Sequence, residues 1–191
     1  MKFLIQLFFV LSSSLFFGQQ KQIYTLPSSF SVYKDYDGNL VKIDHDFDLD
    51  GTTDVAILCE SEKYGMSIVV ILSKKYFKEG SYYYFPWDGI GTDISVDSKN
   101  VLNIGAAFGN GRYETGLKLR YNRNLDNMRL IGYDASYMGD AYNMNEGGYS
   151  LSINLLTGDC EYNGKRKKMN FELITLSNID SYLLSLENIK F

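Results

Sequence analysis

The chain has little of what most catalytic and metal chemistry is built from. It carries one histidine, His45, in 191 residues. A histidine zinc site or a Ser-His-Asp arrangement would have to be assembled around that single imidazole. Its two cysteines, Cys59 and Cys160, stand far apart, so no CxxC metal or redox motif is present. Basic residues concentrate only at Lys165-Arg166-Lys167-Lys168. Four charges in a turn read as a solvated loop, whereas a nucleic-acid footprint needs a broader patch. No nucleic-acid partner is expected. Internal repeats are lacking too, which gives no support to a multi-bladed propeller. The glycine pairs at 89–91 and 109–111 miss the spacing of a dinucleotide fingerprint.

Long apolar runs are confined to the beginning. Lys2 precedes Phe3–Leu11, then Ser12–Ser14 and Leu15-Phe16-Phe17-Gly18. A positive residue followed by a short apolar region has the form of a secretory signal peptide. It is too short for a lasting membrane span. The expected division is a signal peptide at 1–18 and one β-rich domain at 19–191, exported to the periplasm or beyond the cell. Phe16 is a poor small residue ahead of such a cleavage. No cysteine lies nearby to carry a lipid, and no second run follows to span a membrane. Removing Lys2 takes the net charge from −4 to −5. About 170 remaining residues suit one domain.

What the remainder offers is short strands. Val55–Glu60 and Met66–Ser73 are nearly continuous apolar runs, which predicts burial on both faces. Leu40–Ile43, Ile94–Val96, Val101–Phe108, Gly116–Tyr121 and Met128–Ser136 read as further strands. Asp97–Asn100, Asn122–Asn127 and Thr157–Asp159 read as turns. Asp35-Tyr36-Asp37-Gly38-Asn39 reads as an Asp-Gly hairpin turn. Tyr149–Leu155 alternates most cleanly, with Tyr149, Leu151, Ile153 and Leu155 on one face. Met169–Leu176 is expected as a strand with Met169, Phe171 and Leu173 inward. Asn178–Ile189 is expected as a closing helix, with Asn178 as N-cap and Leu183, Leu184 and Leu186 packing. The predicted fold is mainly β: an antiparallel β-sandwich or a strongly bent meander sheet, with a short C-terminal helix.

The richest chemistry lies in His45-Asp46-Phe47-Asp48-Leu49-Asp50-Gly51-Thr52-Thr53-Asp54. Aspartates fall at positions 1, 3, 5 and 9, with glycine at 6. Calcium takes 6–8 oxygens at about 2.3–2.6 Å, and this is the spacing of a calcium loop. Gly51 permits the sharp turn, and the Thr52 carbonyl falls at position 7. Without a cation, four crowded carboxylates repel one another. An EF-hand needs a bidentate Glu at position 12, but Ile57 stands there, inside a strand. The bland alternative is a solvated acidic turn.

The loop resembles those of integrin-type FG-GAP and VCBS repeats, in which an Asp-rich loop runs into Asp-hydrophobic-Ala-hydrophobic. Asp54-Val55-Ala56-Ile57 matches that ending, and the resemblance covers roughly thirty residues, to Leu72. It implies Asp46, Asp48, Asp50 and Asp54 as side-chain ligands of Ca²⁺, with Thr52 as a carbonyl ligand. Leu130-Ile131-Gly132-Tyr133-Asp134 followed by Ser152–Gly158 is similar to a group of secreted bacterial proteins of unassigned function. That resemblance spans most of the chain and implies export and fold, not chemistry.

Sixteen tyrosines are present. Tyr82, Tyr84 and Trp87 form the densest aromatic stretch, which either fills a sheet face or makes a platform for a sugar or a protein. Cys59 and Cys160 are an even pair in an exported chain, so a disulfide is permitted. The expected function is a calcium-stabilised, non-catalytic binding or interaction domain whose partner is a protein or a carbohydrate. The alternatives are a glycan-directed hydrolase with structural calcium, and a protein inhibitor or immunity-type partner.

Overall fold

The computed structural model describes Leu26 and residues 28–63, 65–75, 92–139 and 147–191. The signal segment and the aromatic stretch with Tyr82, Tyr84 and Trp87 lie outside the described residues. Eleven strands and one helix are described. They are β1 (Ser31–Val32), β2 (Lys42–His45), β3 (Asp54–Ser61), β4 (Gly65–Ile71), β5 (Thr92–Val96), β6 (Leu102–Phe108), β7 (Tyr113–Asn122), β8 (Asn127–Tyr137), β9 (Tyr149–Asn154), β10 (Asp159–Tyr162), β11 (Lys165–Lys168) and α1 (Asp180–Glu187). The strands form two antiparallel sheets, as expected for a sandwich.

The smaller sheet is built on β3. Strand β4 lies along one side of it, while β1 and β2 share the other, at Ser31↔Glu60 and Lys42↔Ile57. Between them the chain leaves the sheet after Tyr33 and rejoins it at Val41, both hydrogen-bonded to the backbone of Leu58 at 2.9 Å. The excursion is the Asp-Gly turn. Gly38 takes φ 81°, and the Asp35 carboxylate accepts the N–H groups of Asp37 at 3.0 Å and Asn39 at 2.7 Å. Residues 54–59 of β3 are all buried, as their apolar run predicts. Ala56 and Leu58 face the main core, while Val55, Ile57 and Cys59 enter a second cluster with Phe30, Val69 and Ile71.

The larger sheet is a seven-stranded meander from β5 to β11, each strand hydrogen-bonded to the next in sequence. Short turns make this the natural pairing everywhere but between β8 and β9, which a longer connection joins. In β7, Leu117 and Leu119 are buried between exposed Lys118 and Arg120. In β9, Leu151 and Ile153 point inward. A bulge between Lys118 and Leu119 shifts the register against β8. The main core joins Phe47, Leu58, Ile68 and Val70 to Leu102, Leu119, Leu130 and Ile153, and closes with Ile174, Leu176, Ile179 and Leu186.

Four expectations are corrected. Residues 169–176 form no strand beyond a bridge from Thr175 to Arg129. Ile174, Thr175 and Leu176 are the buried residues there and Leu173 is 42 % exposed, while Met169 and Phe171 pack partly buried against the main core. With three consecutive residues buried, the segment does not alternate as a strand does. Lys165–Lys168 is not a loop but the edge strand β11. An Asn163-Gly164 turn with φ 48° and 77° creates it. Opposite charges hold it across the ladder, Arg166 to Glu161 at 2.7 Å and Lys168 to Asp159 at 2.9 Å. In α1 the N-cap is Ile179, without a side-chain cap. Asn178 instead accepts the Thr175 N–H at 2.7 Å, and Leu184 is 70 % exposed. Finally, Cys59 and Cys160 are both free and buried. They sit in separate clusters, Cys59 in the second and Cys160 in the main core.

Candidate metal centre

The Asp loop lies between β2 and β3, where the two sheets meet. Three of its carboxylates converge: Asp46, Asp48 and Asp50 each place an oxygen within 4.8 Å of the others. Oxygens sharing one calcium ion at 2.3–2.6 Å lie no more than about 5 Å apart. The donor set and its spread therefore fit a divalent cation. Asp48 contributes the decisive side chain. It is wholly shielded from solvent, and its Oδ2 accepts no hydrogen bond of good geometry. The Lys74 ammonium stands 2.9 Å from that oxygen.

The loop holds its shape through its own amides. Asp46 accepts the N–H groups of Asp50 at 3.1 Å and Gly51 at 2.9 Å. Asp48 accepts a second bond from Asp50 N–H at 3.1 Å, and Asp50 accepts Thr52 N–H at 2.7 Å. The last bond is the main reason the Asp50 carboxyl lies below the usual carboxylate range. Leu49 at φ 59° and Gly51 at φ 87° give the left-handed steps that wind the chain.

Asp54 is placed differently from the other three. Its Oδ2 accepts the Phe47 N–H at 2.8 Å and the Asp48 N–H at 3.3 Å. Its Oδ1 accepts the Ser73 N–H at 2.6 Å. Asp54 has no solvent exposure, and burial pushes its carboxyl above the usual range, aided by the charge of Asp48. It acts as a strut from the first residue of β3 into the loop and the segment after β4.

Two neighbours of the loop were not singled out by the sequence. Asn100, at φ 60° in the β5–β6 turn, donates its amide to the carbonyls of Phe47 at 2.9 Å and Asp46 at 3.4 Å. Its Oδ1 also meets the His45 ring. Ser73-Lys74, in a 3₁₀ turn, brings a hydroxyl to Asp50 at 3.2 Å and the ammonium to Asp48. A hydrophobic residue at 72 followed by Ser-Lys carries no motif, so pairing with the loop is visible only in three dimensions.

No protein-family model, curated protein or solved structure matches the chain.

The described aromatic cluster lies at one end of the larger sheet. Phe108, Tyr113, Tyr137, Tyr149, Tyr162 and Phe191 run across β6 to β10 and the C-terminal residue, with neighbouring ring centroids 6.0–6.2 Å apart. Tyr149 donates its hydroxyl to that of Tyr113 at 2.6 Å, and burial is the main reason its phenol is raised. The rings pack mostly edge-on or tilted against one another, as cross-strand aromatic pairs do. Tyr113, Tyr137 and Tyr149 share the phase of the buried residues in their strands, which is the signal that marks this row in the sequence. Among the described residues, no helix is long and apolar enough to cross a membrane.

Proposed function

We propose that this chain is an exported β-domain in which calcium, held by the Asp loop, stabilises the junction of the two sheets, and that the domain works by binding a protein or carbohydrate partner rather than by catalysis. The observation that carries the metal assignment is the convergence of Asp46, Asp48 and Asp50 within 4.8 Å, with the Asp48 carboxylate fully buried. A buried carboxylate needs a compensating positive charge; the Lys74 ammonium supplies one for Asp48 at 2.9 Å, and a cation shared by the three aspartates would compensate all of them. The Thr52 carbonyl would complete the set together with water. Asp54, with three of its acceptor positions on backbone amides, supports the loop from beneath. The resemblance to FG-GAP and VCBS loops agrees with Asp46, Asp48, Asp50 and Thr52 in this set and differs at Asp54, which it implies as a ligand; the N-terminal apolar segment supports export.

A structural role follows from position. The loop is tied to the larger sheet through Asn100 and runs directly into β3, the centre of the smaller sheet. A cation fixing the loop fixes both attachments. Calcium sites of extracellular modules bind at about 10⁻⁴–10⁻³ M. At one to ten times Kd the gain is RT ln(1 + [L]/Kd), about 0.4–1.4 kcal/mol. For a chain of this size that is a rise of about 1–5 °C in Tm.

The test is thermal melting in chelator and in about 1 mM calcium, one to ten times the expected Kd, for wild type, Asp48→Ala and Asp37→Ala. Wild type and Asp37→Ala should show the calcium increment, and Asp48→Ala should lose it. An unchanged wild-type midpoint, together with no heat of calcium binding, would leave an acidic turn and nothing more.

A further inference from the structure

Lys74 is the one cation seated against the Asp loop in the described structure. Its Nζ is 2.9 Å from Asp48 Oδ2, 2.7 Å from Asp126 Oδ1 and 2.6 Å from the Tyr121 hydroxyl. Three oxygens surround the ammonium: Asp126 and Tyr121 accept its protons, and Asp48 meets it as an ion pair. The two sides of this arrangement differ. Asp48 is fully buried inside the loop, whereas the Asp126 side chain is 51 % exposed in the β7–β8 turn. Tyr121 binds the ammonium and also donates to Asp126 at 2.6 Å, and its ring lies 4.8 Å from Nζ. Asp126 and Tyr121 thus form a ready-made second seat for the same ammonium. Both hydrogen bonds hold Lys74 firmly in its charged form.

A divalent cation that took Asp48 Oδ2 as a ligand would meet the Lys74 ammonium at contact distance. Like charges so close repel strongly in a partly buried site. Lysine sits on a flexible four-carbon stem, and its outer seat needs no new partner. We propose that Lys74 is a tethered competitor of the metal: its ammonium neutralises Asp48 when no cation is bound, and withdraws onto Asp126 and Tyr121 when calcium takes Asp48. This inference rests on the calcium reading of the Asp loop and adds the element that regulates it. The internal ammonium keeps the loop folded without metal, removing the repulsion of crowded carboxylates. It also lowers the affinity, so that only calcium at high concentration displaces it. Asp126, by holding the released ammonium, raises the affinity.

The experiment is calcium titration calorimetry on the full chain, using wild type, Lys74→Met, Asp126→Asn and Lys42→Met. Lys42 pairs with Asp44 beside the loop and controls for the mere loss of a positive charge. Lys74→Met should bind calcium at least tenfold more tightly than wild type, Asp126→Asn at least threefold more weakly, and Lys42→Met within about twofold of wild type. In ¹³C-lysine-labelled wild type, the Lys74 Cε resonance should move in step with one equivalent of calcium. Binding detected in Lys74→Met alone would also support the inference. If wild type binds and Lys74→Met binds no more tightly, the competitor is refuted and the calcium site stands. Equal tightening by Lys42→Met refutes it as well, in favour of general charge. If neither wild type nor Lys74→Met binds, both readings fall. Should Lys74→Met not fold, Asp126→Asn decides: unchanged or tighter binding overturns the inference.

Discussion

Asp54→Ala separates a strut from a ligand. The carboxylate accepts three backbone N–H groups, from Phe47, Asp48 and Ser73. Phe47 is 1 % and Asp48 5 % exposed, so water cannot replace the lost acceptor for those two amides without opening the loop. Each hydrogen bond of this kind contributes about 1 kcal/mol net. Charge assistance raises that figure, while the burial that lifts the Asp54 carboxyl lowers it. About 3 kcal/mol is the resulting loss, large for a single substitution. Urea unfolding followed by tyrosine fluorescence, in chelator and again in calcium, measures it. The strut role requires the full loss in chelator, because the amides are orphaned whether or not a cation is present. A ligand role alone predicts a loss confined to calcium. A free energy of unfolding in chelator within 1 kcal/mol of wild type would refute the reasoning.

Two further outcomes follow from the buried cysteines. Neither thiol should react with an aromatic disulfide reagent in the native protein, and two equivalents should react after denaturation without reductant; a single disulfide by non-reducing mass spectrometry would contradict the structure. Burial pushes the Cys59 thiol up to about 12 from its ordinary value of 9.0, so above pH 9 the unfolded chain gives up a proton that the folded chain keeps. Stability then falls with pH, by about 1.4 kcal/mol between pH 8 and pH 10 for this one group, and chemical denaturation of Cys59→Ala should show that much less of a fall than wild type.

Much of the fold is legible in the sequence because period and turn chemistry act locally. The runs Val55–Glu60 and Met66–Ser73 are β3 and β4, and the alternation of Tyr149–Leu155 is β9. The Asp-Gly turn at Asp35–Asn39 forms as its residues dictate. Failures arose where a local rule was outvoted or overlooked. Lys165–Lys168 reads as a solvated loop by its charge, but the Asn163-Gly164 turn folds it back as strand β11. Residues 169–176 have strand-like composition, and Met169 and Phe171 do pack against the main core, but the core they close buries Ile174, Thr175 and Leu176 and leaves Leu173 exposed. At the candidate site, the spacing of Asp46, Asp48 and Asp50 was enough to bring them together, since neighbours in a tight loop need no distant help. The different posture of Asp54 depends on Ser73, nineteen residues away. The clamps from Asn100 and Lys74 are long-range contacts of the same kind, and no periodicity encodes them.

The edge strand β11 bears on how this protein meets its own copies. Its four residues are all exposed and all cationic, and its outer backbone is a row of donors and acceptors that another strand can join. A second molecule arriving antiparallel, centred on the same strand, would set Lys165 opposite Lys168 and Arg166 opposite Lys167. Every facing pair would be positive, and like charges directly across a ladder are destabilising. Asp159 and Glu161 soften this charge only from within the same sheet. Self-extension of the meander through its β11 edge is therefore opposed by the side chains of that edge itself.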